Sequence, residues 1–237
     1  MEKKPLLRAV CLLSAVALGI IAAPAQAQTC RDAVVLVHGN TGAPADFNNT
    51  YNELLKRGYS SGEIFRANWG SKTCAACNDH SGTEEVPVRD AINQALARSC
   101  TGKIDVIGHS MGVTLSIKEI LDLGVAARVE SFVGVAGAYR GLWSCGTYPY
   151  NVVNSTCGYW GLSVKSPFLT DIYGKRMSSR IYSIKSNSDQ VVCSTGTCTV
   201  NGVHSSSIAN ENASYTYALG HFGLLSDTAL KQVDLLQ

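Results

Sequence analysis

Apolar runs alternate with amphipathic stretches along the whole chain. Residues 32–37 (DAVVLV) are apolar after the first position and rich in β-branched side chains, the pattern of a strand covered on both faces. Phe47, Tyr51, Leu54 and Leu55 then recur at helical spacing, and Gly58 is placed to end that helix. Residues 63–69 predict a second strand and 70–82 a loop. Val88, Ile92, Ala95 and Leu96 mark the next amphipathic helix, which closes before Cys100. A strand over 104–107 follows, then a helix carrying Leu115, Ile117, Ile120 and Leu121 up to Gly124. Residues 128–135 are the next strand. Periodicity fades over 136–170, which holds Trp143, Tyr148, Tyr150, Tyr159, Trp160 and Phe168. A loop of that length inside a domain is expected to be a lid or binding wall. Strand character returns at 180–185. Residues 191–200 read as a hairpin closed around Gly196, and 215–219 as a weaker strand. A last helix is expected from a cap near Ser226 and Asp227, carrying Ala229, Leu230, Val233 and Leu236. Strands alternating with helices predict an α/β fold with a mainly parallel sheet flanked by helices on both faces.

The first residues stand outside this pattern. Lys3, Lys4 and Arg8 precede an apolar stretch over 9–23, and Ala25-Gln26-Ala27 supplies an A-x-A cleavage signal. Residues 1–27 therefore read as a signal peptide, and 28–237 as a single domain. The apolar stretch is short for a membrane span, so the expected destination is secretion, extracellular or periplasmic, with no integral membrane segment in the mature chain. Losing Glu2, Lys3, Lys4 and Arg8 takes 20 basic and 18 acidic residues to 17 of each. A neutral chain with no basic run predicts no nucleic-acid partner. A monomer is expected.

Nine cysteines become eight when Cys11 leaves with the leader, and an even number in an exported chain reads as disulfides. Cys30 and Cys100 each lie just before a strand. If those parallel strands are neighbours, the two cysteines sit at matching heights and bridge. The local pairs Cys74–Cys77, Cys145–Cys157 and Cys193–Cys198 then follow. A zinc site at Cys74 and Cys77 with His80 is the rival, without a second ligand pair at finger-like spacing. No metal or cofactor is expected.

The candidate chemistry centres on Gly108-His109-Ser110-Met111-Gly112, a G-x-S-x-G between a predicted strand and a predicted helix. A serine on such a turn needs small residues two positions either side, and the turn aims the following N–H at the same spot. A serine hydroxyl is a poor nucleophile unless a base takes its proton. In the order Ser, Asp/Glu, His, His221 after the last strand is the candidate base, with His204 in reserve. His38, His80 and His109 precede the serine. Asp189, four residues past the strand over 180–185, is the candidate orienting acid. Asp171, Glu211 and Asp227 are alternatives, Asp227 being placed to cap a helix. Asp189 also reads as a plain Asx-turn residue. Met111 N–H and Asn40 N–H are the expected oxyanion donors, with Thr41 a near alternative to Asn40.

From Ala33 onward the chain resembles the secreted bacterial α/β-hydrolases of the class 2 lipase group, and more loosely extracellular polyhydroxyalkanoate depolymerases. The resemblance rests on Val37-His38-Gly39, on the Ser110 motif, on Val135-Ala136-Gly137-Ala138-Tyr139-Arg140-Gly141, and on the Asp189 and His221 segments. It implies an α/β-hydrolase fold and a cofactor-free serine lipase or esterase acting on an ester through Ser110, Asp189 and His221. Val113 departs from the pattern, standing where such lipases often place a second glycine. Polyester depolymerisation would use the same triad. A hydrolase fold kept only for binding is the reading from a different class, and it predicts a missing triad member.

Overall fold

The computed structural model describes residues 1–2, 30–150 and 152–236, so the predicted signal peptide lies almost wholly outside the described residues. In chain order the strands and helices are β1 (Ala33–Val37), α1 (Asn48–Lys56), β2 (Ile64–Ala67), α2 (Glu85–Arg98), β3 (Ile104–His109), α3 (Met111–Asp122), β4 (Val129–Val135), β5 (Leu142–Thr147), β6 (Ser163–Val164), α4 (Pro167–Ile172), β7 (Arg180–Lys185), β8 (Thr199–Val200), β9 (Val203–His204), β10 (Ala213–Thr216), α5 (His221–Asp227) and α6 (Ala229–Asp234).

Six strands form one sheet in the order β10-β7-β4-β3-β1-β2, and every pairing within it is parallel. The continuous apolar character of β1 is explained by its two faces. Ala33, Val35 and Val37 pack with Val88, Ile92 and Leu115 of α2 and α3, whereas Val34 and Leu36 pack with Leu54, Leu224 and Val233 on the other side. Each helix thus buries its apolar stripe on one face of the sheet.

The chain leaves β1 for the edge strand β2, then returns to the opposite side of β1 to form β3. Loops diverge at such a switch point and open a crevice beyond the carboxyl ends of the strands. Register brings those ends level: Val37 pairs with Gly108, His109 with Val135 and Lys185 with Thr216.

Eight cysteines are joined as Cys30–Cys100, Cys74–Cys77, Cys145–Cys157 and Cys193–Cys198. The first follows from strand adjacency, since Ala33 pairs with Ile104. No helix among the described residues is long and apolar enough to cross a membrane.

Four local expectations change. The stretch 136–170 is not plain loop, because it holds β5, β6 and most of α4. β6 is only two residues long, and in β5 the buried positions Leu142 and Cys145 are three apart, so no strand period shows, although Tyr139, Leu142, Cys145 and Phe168 are buried in the core. The hairpin closes at Asn201 and Gly202, not around Gly196, and joins β8 to β9. Both turn residues have positive φ, 51° and 78°, as a two-residue type I′ turn requires. The last strand is Ala213–Thr216, because parallel pairing with β7 matches Ala213 to Tyr182. Tyr217 and Leu219 add apolar contacts beyond the ladder. Finally, the C-terminal helix is two short ones. Asp227 is the last residue of α5 rather than a cap, and Thr228 takes the cap position of α6.

Candidate active site

Ser110 stands between β3 and α3 with φ 53° and ψ −127°, a strained conformation for a residue with a side chain. Its N–H donates to Val135 O at 2.8 Å, which ties the turn to β4. Three glycines make room for it. A Cβ on Gly39 would lie 2.9 Å from Ser110 Cβ, one on Gly108 would lie 2.7 Å from Val113 Cα, and one on Gly112 would strike the carbonyls of Val37 and His38. Val113 is accommodated by two further glycines: a Cβ on Gly137 would lie 2.9 Å from the Val113 side chain, and one on Gly134 3.2 Å from it.

Asp189 and His221, thirty-two residues apart, meet at the same sheet edge. His221 Nδ1 lies 2.8 Å from Asp189 Oδ2 and 3.0 Å from Oδ1. Asp189 Oδ1 also accepts from the amides of Val191 at 2.8 Å and Val192 at 2.9 Å. The Asx turn and the histidine partnership therefore coexist in one carboxylate. Burial alone would push this carboxyl up, but the His221 hydrogen bond and charge, with the two amides, hold it below the usual range.

His221 opens α5. Its N–H donates to Gln190 Oε1 at 2.8 Å, and its carbonyl lies 3.2 Å from His109 Nε2. The His109 and His221 rings are 4.8 Å apart, which places the imidazole beside the residue preceding Ser110. The Ser110 hydroxyl itself makes no hydrogen bond among the described residues. Burial lowers His109 to about 3, so it stays neutral and adds no charge beside His221. Gln190 escaped the sequence reading: a lone exposed glutamine carries no signal until its partner is known.

The turn after β1 faces this group. Neither the Asn40 nor the Met111 N–H is engaged within the described chain. Asn40 is held from behind, with Nδ2 donating to Ala75 O at 2.9 Å and Oδ1 accepting from Asn78 Nδ2 at 2.6 Å. Ala75 lies inside the Cys74–Cys77 staple, and Thr156 Oγ1 donates to Ala75 O and Asn78 O. Thr41, the alternative to Asn40, has φ 56° and turns its hydroxyl onto Asn40 O. A cavity of about 390 Å³ runs from Asn40–Ala43 to Phe222, Leu225 and Ser226, with Asp46 in its wall.

The other candidates are engaged elsewhere. His204 donates from Nε2 to Ser186 O at 3.1 Å, while its Nδ1 accepts from Ser206 N. Asp171 pairs with Lys175 at 2.7 Å, Glu211 accepts from Ile208 N, and Asp227 accepts from Ser226 Oγ. His38 stacks on Trp69 and is lowered to about 4 by burial. His80 bonds Trp160 O and Thr114 Oγ1, so its ring nitrogens are not offered to Cys74 and Cys77, which bond each other. Cys193, Cys198 and His204 also cluster, but the sulfurs are joined in a disulfide and are not thiolate ligands.

The model of the class 2 lipase family matches residues 31–234. The chain belongs to the class 2 lipases. Solved structures that share the fold include a lipolytic enzyme, a lipase and a thioesterase domain. A metagenome-derived lipolytic enzyme of the LipS and LipT pair aligns with TM-score 0.59 at 17% identity, covering 87% of this chain and 94% of its own. The mature form of Bacillus licheniformis lipase BlEst2 gives 0.62 at 14%, covering 91% and 96%. The thioesterase domain from the curacin biosynthetic pathway gives 0.56 at 9%, covering 87% and 90%. At such identities the likeness is one of fold. The α/β-hydrolase architecture expected from the sequence is therefore observed, in a family of lipase/esterase-type hydrolases.

Proposed function

We propose that this chain is a secreted serine carboxylic-ester hydrolase that works through an acyl-enzyme. Ser110 is the nucleophile, His221 the general base and acid, Asp189 the group that orients it, and the N–H groups of Asn40 and Met111 the oxyanion donors. Ser110 Oγ attacks the ester carbonyl carbon as its proton passes to His221 Nε2. The oxyanion accepts from the two amides. Collapse breaks the bond to the alcohol oxygen, which takes the proton back from His221. Water then repeats the cycle on the acyl-serine and returns the free hydroxyl.

The observation that carries this reading is the Asp189–His221 hydrogen bond, formed beside the strained Ser110 turn. Asp189 accepts from Nδ1–H, which leaves Nε2 as the basic nitrogen. The open contact at Ser110 is usual before substrate binds, since catalytic hydrogen bonds are often long or absent in free enzymes. The 390 Å³ cavity beside Asn40 and Phe222 has the size of a small-molecule site and is assigned to the substrate. Exposed Tyr150, Tyr159 and Trp160 on the segment 136–170 supply a binding wall whose base is fixed in the core. Four disulfides fit export into an oxidising compartment.

Stoichiometric labelling by a fluorophosphonate, abolished in Ser110→Ala, tests the nucleophile. Folded protein that is never labelled and cleaves no p-nitrophenyl ester would leave only the binding reading. Rates on p-nitrophenyl esters of increasing chain length, beside a polyester film, separate lipase or esterase from polyester depolymerase.

A further inference from the structure

A second cavity lies apart from the residues assigned above, between the segment that follows β4 and the β8–β9 hairpin. Its volume is about 240 Å³, the space of about eight liquid waters. That falls below the usual range for drug-sized ligands, roughly 300–1,000 Å³, and suits a single chain rather than a branched ester. Val164, Leu169 and Val200 line its floor, and all three are buried. Arg140 and Lys165 also line it, while no carboxylate does.

Neither cation is paired with an acid among the described residues, although Arg140 also lies over the Tyr173 ring, 5.3 Å from its centre. Arg140 gives Nε to Ser207 O at 3.0 Å and Nη1 to Tyr173 Oη at 3.0 Å, so its Nη2 is left without a partner there. A third cation stands behind them: Lys185 Nζ donates to Ser207 Oγ at 2.6 Å and Ser214 Oγ at 3.0 Å, again with no acid. In a chain with equal numbers of acids and bases after the leader, this local excess of positive charge favours an anion. The substrate cavity has the opposite character, with Asp46 in its wall and no cation. Lys165 is moreover held at φ 64°, a conformation that glycine would adopt without strain.

We propose that this cavity binds a fatty carboxylate, with the alkyl tail on Val164, Leu169 and Val200 and the carboxylate accepting from Arg140 Nη2 and Lys165 Nζ. The ligand class is an anionic single-chain amphiphile, the kind of molecule that ester hydrolysis releases. The site goes beyond the proposed catalytic reading and does not depend on Ser110.

The test is calorimetric titration of decanoate into full-length protein whose Ser110 is blocked by an alkyl fluorophosphonate, below the critical micelle concentration. One saturable site is expected, with butyrate and decyltrimethylammonium each binding at least tenfold more weakly. Lys165→Glu should weaken decanoate at least tenfold. Thr170→Trp, which fills the cavity from its exposed rim, should abolish binding without removing a charge, and melting curves confirm that both variants fold. Equal binding of the cationic amphiphile, unchanged affinity in both variants, or no saturable decanoate binding overturns the proposal. If Ser110 resists labelling, the catalytic reading fails instead. The comparison of wild type with Lys165→Glu then still decides this one on unblocked protein.

Discussion

Asp189→Asn separates the two roles that one carboxylate combines. Asp189 Oδ1 receives the amides of Val191 and Val192, and both oxygens face His221 Nδ1. An asparagine can keep the two amides on its single carbonyl oxygen, so the turn survives. Its NH₂ group must then face Nδ1 of the imidazole. Two donors cannot share a hydrogen bond, so His221 takes the tautomer with its proton on Nε2. Under the proposed mechanism that nitrogen can then no longer accept the proton of Ser110. The same change in the serine-protease triad lowers kcat by about 10⁴, equivalent to about 5.4 kcal/mol of barrier, and a similar loss is expected here. The folded state also loses a charge-assisted hydrogen bond, about 1.5–3 kcal/mol, or about 3–12 °C in Tm for a domain of this size. Because Asp189 sits below the ordinary carboxylate range in the folded state, its stabilisation is complete above the unfolded value near 4 and lost as pH falls through the lower folded value. The Tm gap between wild type and variant should therefore be full at pH 7 and shrink in acid. Steady-state rates on p-nitrophenyl butyrate, with parallel melting curves, provide the assay. A folded variant within tenfold of wild-type kcat/KM would make Asp189 a turn residue only and refute the reasoning.

Three further outcomes follow from the packing. Gly112→Ala drives a Cβ into the Val37 and His38 carbonyls, backbone atoms that cannot step aside, and should cost about 3 kcal/mol or more. Gly62→Ala, whose nearest neighbour is Ser60 Oγ at 3.9 Å, should stay within about 0.5 kcal/mol, and urea unfolding of the pair checks the contrast. Removing Cys30–Cys100, separated by 70 residues, should cost about 4.4 kcal/mol, and removing Cys74–Cys77, separated by 3, about 1.6 kcal/mol by loop-closure entropy; paired Cys→Ala variants compared by chemical denaturation give the ranking. Asp105, raised to about 8 by burial and by the charge of Asp32, keeps its proton in the folded state while the unfolded chain loses it near 4. Wild-type stability should therefore fall between pH 4 and 8. Asp105→Asn keeps an acceptor for Ser131 N and should melt several degrees above wild type at pH 9, with equal Tm at the two ends of the range counting against it.

How much of this was legible in sequence depended on whether a residue's task is local. β1, β7, α1 and the helix end at Gly58 follow from patterns within ten residues, and Gly58 has the positive φ, 85°, that such an end requires. The Ser110 turn prints its steric needs as Gly108 and Gly112 two positions away. The Cys30–Cys100 bridge was legible because parallel register transmits strand adjacency to the flanking residues. Gln190, His109 and Asn78 have no such signature. Each acts on a partner 31 to 112 residues away in sequence, and the identity of that partner appears only after folding. The hairpin differs from its expected position for another reason. Gly196, inside the Cys193–Cys198 staple, suggests the turn and has a positive φ of its own, 85°, but only Asn201-Gly202 supplies the two consecutive positive φ values that match strand twist.

That hairpin also explains how a short polar turn can hold the Asp189 carboxylate in place. Ser110 is fixed by the sheet itself, through Val135 O and the glycines beneath it. Asp189 lies four residues beyond β7 and has no ladder to fix it. Its support comes from the segment that follows. Cys193 N donates to Asp189 O at 2.9 Å, and Ser205 N to Cys198 O at 2.7 Å, while His204 Nε2 donates to Ser186 O. The Cys193–Cys198 bridge joins the first of these contacts to the second, so the turn from Ser186 to Asp189 is clamped from both ends by one stapled loop. Burial lowers the His204 pKa, which keeps the ring neutral and able to bond on both nitrogens, as it does. The residue held in reserve as a base thus has a separate job, bracing the turn that carries the acid. The Asp189–His221 contact rests on that brace as well as on the sheet.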